Sequence, residues 1–114
     1  MPVTVARSLD HALAALEECP EALILAGGTD VMVQVNKGSM SVDQVVAIGH
    51  VPELQGWNRE GDWLHLGAGV TYSEMMGKEI SSMVPALAQA SRTVGSPQIR
   101  NAGTIGGNLG TSSP

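Results

Sequence analysis

Two segments with adjacent glycines constrain this chain more than any other feature of its sequence. The first covers residues 26–30, where the apolar run 22–26 ends, and the second covers residues 104–108. Each joins two glycines to a threonine and a second polar side chain. Glycine allows tight turns and close backbone approaches that other residues obstruct. The pair therefore indicates a backbone that approaches a phosphorylated ligand from two sides.

Composition and charge limit what else the chain can be. Its 114 residues are enough for one domain, and a hydrophobic content of 43% is typical of a globular protein. The net charge of −5 argues against nucleic-acid binding, which requires clustered lysine and arginine. No apolar run has membrane-spanning length, the N-terminus lacks a signal-peptide pattern, and the lone Cys19 permits no internal disulfide. We therefore expect a cytoplasmic protein.

The first half of the chain alternates between strand and helix patterns. Ser8 can cap a helix over residues 9–19, where leucine and alanine recur at helical spacing. Two apolar runs, residues 22–26 and 44–48, are typical of short buried strands. The stretch 31–35 stays ambiguous, because its alternating valines favour a strand whereas the preceding aspartate could cap a helical turn. Strands that alternate with a helix favour parallel pairing.

The second half changes to a hairpin followed by helices. Residues 57–63 are typical of a hairpin tip in which Gly61 takes a positive φ angle, and residues 63–66 continue as a strand. Thr71 fits a capping box with the glutamate three residues later. A longer helix is predicted over residues 84–93, with a proline in its first turn. An α+β fold with two small subdomains summarises these patterns.

The stretch from residue 98 to the end is rich in glycine, serine and threonine, and we expect it to hold the second glycine segment as a loop. Backbone N–H groups in such loops can converge on an anion, and Thr29, Thr104 and Asn108 would add side-chain donors. Asp30 would repel phosphate and is better suited to capping a turn. Neither segment is a Walker motif or a Gly-x-Gly-x-x-Gly signature. Either alone could be an ordinary tight turn, and their combination favours ligand binding.

Other reactive side chains give weaker indications. His11, His50 and His65 show no recognisable metal spacing. Cys19 has no evident activating partner, so we expect an inert thiol. Arg100 precedes the second glycine segment and could approach a phosphate or acidic partner, or lie on the surface.

Two motifs, LILAGGTD at residues 23–30 and VGSPQIRNAGTIGGNL at residues 94–109, resemble the FAD-binding domain of the molybdenum hydroxylases. These domains are the medium, flavin-carrying subunits of xanthine dehydrogenase and carbon monoxide dehydrogenase type enzymes. Residues 48–54 and 66–71 are also similar, so the resemblance covers nearly the whole chain. In relatives, the second motif continues into an acidic residue and further strands. The chain would therefore correspond to the N-terminal portion of such a subunit.

The resemblance implies the α+β fold of vanillyl-alcohol-oxidase-type, or PCMH-type, FAD-binding domains. Residues 1–55 would form a first subdomain with a parallel βαβ unit, and residues 56–114 would begin a second one with a mixed sheet and helices. FAD would lie extended between them, with its pyrophosphate against both glycine segments. The implied cofactor-binding residues are Ile24, Leu25, Ala26, Gly27, Gly28, Thr29, Asp30, Val31, Val94, Thr104, Ile105, Gly106, Gly107, Asn108 and Thr111. The resemblance implies no catalytic side chain and no metal ligand.

The implied chemistry is electron transfer through FAD, with the cofactor carrying the redox reaction. Molybdopterin and [2Fe–2S] clusters are expected on partner subunits or domains, and NAD, a quinone or another compound would accept the electrons. Two alternatives stay open. One is a non-catalytic fragment or assembly module that keeps the fold without flavin, and the other is a different enzyme of the same flavin fold. The run at residues 99–104 favours a molybdenum hydroxylase over the second alternative.

Overall fold

The computed structural model describes residues 3–27 and 44–111, which form two small sheets and a group of short helices. The elements of the first part are β1 (Val3–Val5), α1 (Leu9–Glu18), β2 (Leu23–Leu25), β3 (Val45–Ala47) and a 3₁₀ turn (Pro52–Leu54). Those of the second part are β4 (Trp57–Glu60), β5 (Trp63–Leu66), α2 (Tyr72–Met75), α3 (Lys78–Met83), α4 (Pro85–Arg92), α5 (Pro97–Ala102) and α6 (Ile105–Thr111).

The first sheet is parallel and has the strand order β1-β3-β2. Its central strand places Val46 opposite Thr4 on one side and opposite Ile24 on the other. The parallel pairing predicted for β2 and β3 is confirmed. Strand β1 was not predicted, because three residues at the start of the chain carry too little periodicity to identify a strand.

Helix α1 packs on this sheet and is capped as the sequence predicts. The Ser8 hydroxyl oxygen accepts the N–H of His11 at 3.0 Å, and the helix ends just before Pro20. Ala12 and Ala15 are its buried residues, and they join Val46 in the core cluster of this part. Small alanines allow the helix to lie close to the sheet, so a compact core forms without aromatic side chains.

The hairpin of β4 and β5 is antiparallel, with Trp57 opposite Leu66 and Glu60 opposite Trp63. Gly61 at its turn has φ of 60°, as the sequence predicts. Beyond the hairpin, the Thr71 hydroxyl oxygen accepts the N–H of Glu74 at 3.2 Å and so caps α2. The predicted cap is therefore confirmed.

Helix α4 begins with Pro85, in agreement with the predicted helix over residues 84–93. Helix α3 was not predicted from the sequence. Val70, Tyr72 and Met75 form the core cluster of the second part. The two clusters lie on either side of residue 55, and the boundary between two subdomains at this point stays a prediction.

The expectation of a loop after residue 98 is wrong, because α5 and α6 occupy most of that stretch. Ser96 accepts the N–H of Ile99 at 3.3 Å, and Pro97 stands at the first position of α5. The Thr104 hydroxyl oxygen accepts the N–H of Gly107 at 3.0 Å, in the manner of an N-cap for α6. The cap by Thr104 and the backbone hydrogen bonds from Ile105 and Gly106 to Val70 and Ala68 offset the low helix propensity of glycine.

The ambiguous stretch 31–35 lies outside the described residues. None of the helices in residues 3–27 and 44–111 is long and apolar enough to cross a membrane.

Candidate functional site

An open cavity of about 840 Å³ runs along β2 and past the carboxyl ends of β2 and β3. One wall contains Ala26 and Gly27, which follow β2, and Gly49, which follows β3. The opposite wall contains residues 101–104 and part of α6. Ligands commonly bind at the carboxyl edge of parallel strands, and this volume is in the range of small-molecule sites.

Gly27, in the first glycine segment, touches the opposite wall directly. A β-carbon on Gly27 would lie 2.1 Å from the carbonyl oxygen of Ala102, and one on Gly106 would lie 2.7 Å from the β-carbon of Ala68. Both distances are too short for any other residue. The sequence predicts that a ligand approaches these glycines, whereas in the structure protein atoms already fill the space beside both of them.

A short antiparallel bridge between Thr71 and Thr104 holds the second wall in place. On one side of the bridge, the N–H of Ile105 donates to the carbonyl oxygen of Val70 at 2.9 Å. On the other side, the N–H of Tyr72 donates to the carbonyl oxygen of Gly103 at 3.2 Å. This pairing fixes the start of α6 against the segment that follows β5.

The backbone N–H groups in the first turn of α6 all donate to protein oxygens. The donors are Ile105, Gly106, Gly107 and Asn108, at 2.9, 2.8, 3.0 and 3.0 Å. They therefore do not form the open phosphate cradle that a glycine loop would provide. The hydroxyl proton of Thr104 has no acceptor within the described ranges, so this side chain can still donate to a ligand.

The structure brings many of the predicted site residues together around the cavity. Those that line it are Ile24, Ala26, Gly27, Thr104, Gly106, Gly107, Asn108 and Thr111. Leu25 is not among the lining residues, and Val94 and Ile105 pack against the second core cluster. The predicted residues Gly28, Thr29, Asp30 and Val31 lie outside the described residues. Contact of any of these residues with FAD stays a prediction.

Several lining residues with polar side chains were not identified from the sequence. They are Glu21, Gln55, Thr71, Tyr72 and Asn101. Gln55 donates from its amide nitrogen to the carbonyl oxygen of Gly49 at 3.3 Å, and its side chain fills the space beside Gly69. Thr71 and Asn101 lie in two segments, residues 66–71 and 99–104, that resemble the molybdenum hydroxylase family. That resemblance was the only sequence signal for these two residues.

The cavity is almost uncharged. Among the described lining residues Glu21 carries the sole charge, and none is basic. Arg100 does not line it, because its Nη1 donates to the carbonyl oxygens of Arg92 and Val94 at 3.2 and 3.1 Å, at the end of α4. The suggested phosphate contact of Arg100 is therefore not supported.

No group of three His, Cys, Asp or Glu side chains in the described residues could hold a metal ion.

The residues of the cavity fit an extended ligand with both apolar and polar parts. Ile24 is 49% exposed and Tyr72 is buried, and both offer apolar surface to a planar ring. Threonine and asparagine side chains supply neutral hydrogen-bonding groups on the opposite wall. Neutral donors of this kind can bind a diphosphate without a cation. FAD has this combination of rings, hydroxyls and a diphosphate.

Comparison with known proteins agrees with this fit. Residues 1–114 match the family described as the FAD binding domain in molybdopterin dehydrogenase. The nicotinate dehydrogenase FAD-subunit of Eubacterium barkeri is 44% identical over 98 residues, which are 85% of this chain and 33% of that protein. The carbon monoxide dehydrogenase medium chain of Hydrogenophaga pseudoflava is 30% identical over 110 residues, which are 95% of this chain and 38% of that protein.

Solved structures share the fold. Carbon monoxide dehydrogenase from Hydrogenophaga pseudoflava superposes with a TM-score of 0.91 at 28% identity, over 96% of this chain and 39% of that one. Quinoline 2-oxidoreductase from Pseudomonas putida 86 gives 0.90 at 26% identity, over 96% and 39%. The chain spans between 33% and 38% of the two curated relatives above. The predicted fold class and family resemblance are confirmed, and the chain belongs to the family of FAD-binding domains of molybdopterin dehydrogenases.

Proposed function

We propose that this chain forms part of the FAD site of a molybdenum hydroxylase and passes electrons from iron–sulfur clusters, through FAD, to NAD or another acceptor. The observation that carries the proposal is that the described part of the first glycine segment and the second glycine segment line one cavity, with Gly27 on one wall and Gly107 on the other. Either segment alone would be consistent with an ordinary turn. Their convergence at the carboxyl edge of a parallel sheet favours a cofactor site.

The chain's own residues would bind and orient the cofactor. Residues 1–55 would supply the wall that carries Ile24 and Gly27, and residues 56–114 the wall that carries Thr104 and Asn108. Thr104 would donate its hydroxyl proton, and the exposed side chain of Ile24 would cover apolar ring surface. Bound there, FAD would supply the electron transfer that these side chains cannot carry out.

Partner chains are part of the proposal. The relatives' names, "FAD-subunit" and "medium chain", indicate proteins with more than one subunit. We infer that subunits or domains with [2Fe–2S] clusters and a molybdenum cofactor associate with this domain. The compound oxidised by the complex would be determined by those partners.

Titration of the purified chain with FAD tests the first step of this proposal. We expect saturable quenching of flavin fluorescence, and the same dissociation constant from calorimetry. Quenching that does not saturate at high protein concentration would contradict the proposal. Anaerobic addition of NADH to the FAD-loaded protein tests the acceptor. Bleaching of the visible flavin absorbance is expected for NAD, and its absence would direct the search to another acceptor.

A further inference from the structure

A hydrogen bond between two helices fixes one asparagine of the cavity wall. The hydroxyl of Ser73 in α2 donates to Oδ1 of Asn101 in α5. Asn101 lines the cavity, whereas Ser73 is half-buried behind it. The neighbouring residues Tyr72 and Gly103 are also in contact, since a β-carbon on Gly103 would lie 2.6 Å from the Tyr72 ring. The two helices are therefore closely packed where the asparagine emerges.

The bond to Ser73 determines which part of the Asn101 amide remains for a ligand. An asparagine side chain offers an acceptor oxygen and an NH₂ group with two donors. Ser73 uses the oxygen, and no acceptor for the NH₂ group lies within residues 3–27 and 44–111. Because the side chain lines the cavity, an acceptor atom bound there could receive these donors.

We propose that Asn101 binds FAD through its side-chain NH₂ group and that Ser73 is the positioning residue that orients this amide. The inference rests on the proposed FAD site. The acceptor on the cofactor is a phosphate oxygen or a carbonyl oxygen or ring nitrogen of one of its heterocycles. None of the described lining residues is basic, so neutral donors such as the Asn101 amide would have to supply the hydrogen bonds to the cofactor.

Asn101→Asp is the sharpest test, because it keeps the shape of the side chain and an oxygen for Ser73 but replaces the donors with a charged acceptor. We expect FAD to bind about tenfold more weakly, because the variant loses the hydrogen bond and leaves the acceptor atom of FAD without a partner. The matched control is Asn58→Asp in β4, at an exposed position outside the cavity lining. The control should leave the FAD dissociation constant and the melting temperature unchanged.

The role of Ser73 is tested by a double-mutant cycle. Ser73→Ala should weaken FAD binding by about three- to fivefold, and Ser73→Thr, which keeps a hydroxyl, should restore most of it. In an Asn101→Ala background the Ser73→Ala change should have no further effect on FAD affinity, because Ser73 acts through the amide. A purely structural role for Ser73 would instead weaken binding equally in both backgrounds.

Titrations with ADP and with FMN identify the half of the cofactor that receives the bond. Loss of affinity for ADP in Asn101→Asp assigns the acceptor to the adenosine diphosphate half, and loss for FMN assigns it to the flavin half. Unchanged FAD affinity in Asn101→Asp, while the wild-type chain binds FAD, would overturn the inference and leave the proposed function intact. Failure of the wild-type chain to bind FAD would contradict the proposed function itself.

Discussion

The carbonyl oxygen of Ala102 stands 2.1 Å from the point that a β-carbon on Gly27 would occupy. The two walls of the cavity therefore meet through main-chain atoms, with no room for a side chain between them. Gly27 follows the second strand, and Ala102 ends the fifth helix. This contact joins segments that are far apart in the sequence, and it determines how closely the walls can approach.

Gly27→Ala should separate the walls. We expect the free energy of unfolding to fall by about 1–3 kcal/mol, as for other overpacked sites, and FAD binding to weaken with it. Chemical denaturation measures the first effect. Gly110→Ala is the control, because a β-carbon there would meet nothing within 4 Å. Gly110→Ala should leave the free energy of unfolding unchanged or raise it by about 0.5–1 kcal/mol, because alanine favours a helix over glycine. Equal destabilisation by the two variants would refute the role of the contact between Gly27 and Ala102.

Arg100→Met should loosen the end of α4. The Arg100 guanidinium donates to two carbonyl oxygens there, so we expect a loss of about 1–2 kcal/mol in the free energy of unfolding. Arg92→Met, at the exposed last residue of the same helix, should change stability by less than about 1 kcal/mol. Similar losses in both variants would show that Arg100 acts as a general charge rather than as a cap.

Thr104→Val should destabilise the start of α6. The buried hydroxyl accepts the N–H of Gly107, and its loss leaves that donor unpaired, at a cost of about 1–2 kcal/mol. Thr104→Ser should retain the cap. Thr93→Val removes an exposed hydroxyl that donates to the carbonyl oxygen of Ala90, and it should have little effect on the melting temperature. A neutral Thr104→Val variant would contradict the capping role.

Glu21→Gln should strengthen FAD binding. Glu21 is the only charged residue among the described lining positions, so its carboxylate would disfavour an anionic ligand such as FAD. We expect an affinity gain of about two- to threefold at low ionic strength that disappears in 0.5 M salt, where charges are screened beyond about 4 Å. Glu60→Gln, on the exposed hairpin, is the control and should not change affinity. A gain that persists in high salt would exclude an electrostatic cause.

Local patterns were sufficient to predict the elements that have clear start and stop signals. Ser8 and Thr71 cap helices as predicted, and Gly61 takes a positive φ at the hairpin turn. In each case the signal and its structural effect lie within a few residues of each other. Side-chain caps and turn glycines are therefore readable without knowledge of the tertiary fold.

The loop conformation predicted for the second glycine segment was wrong because the structure of this segment depends on distant residues. Gly106 and Gly107 lower the helix propensity, so the local sequence favours a loop. In the fold, Thr104 pairs with Thr71 and caps the helix, and Gly106 donates to the carbonyl oxygen of Ala68 at 2.8 Å. The same dependence hid Asn101, whose orientation follows from a serine on another helix.

The strand order of the first sheet has a consequence for synthesis of the chain. The two strands made first, Val3–Val5 and Leu23–Leu25, do not pair with each other, and both bond to Val45–Ala47. Until the third strand leaves the ribosome, the first two have unpaired edges. We expect this part to fold in one step only after residue 47 has emerged, and a ribosome-bound chain that stops before it to remain sensitive to proteases.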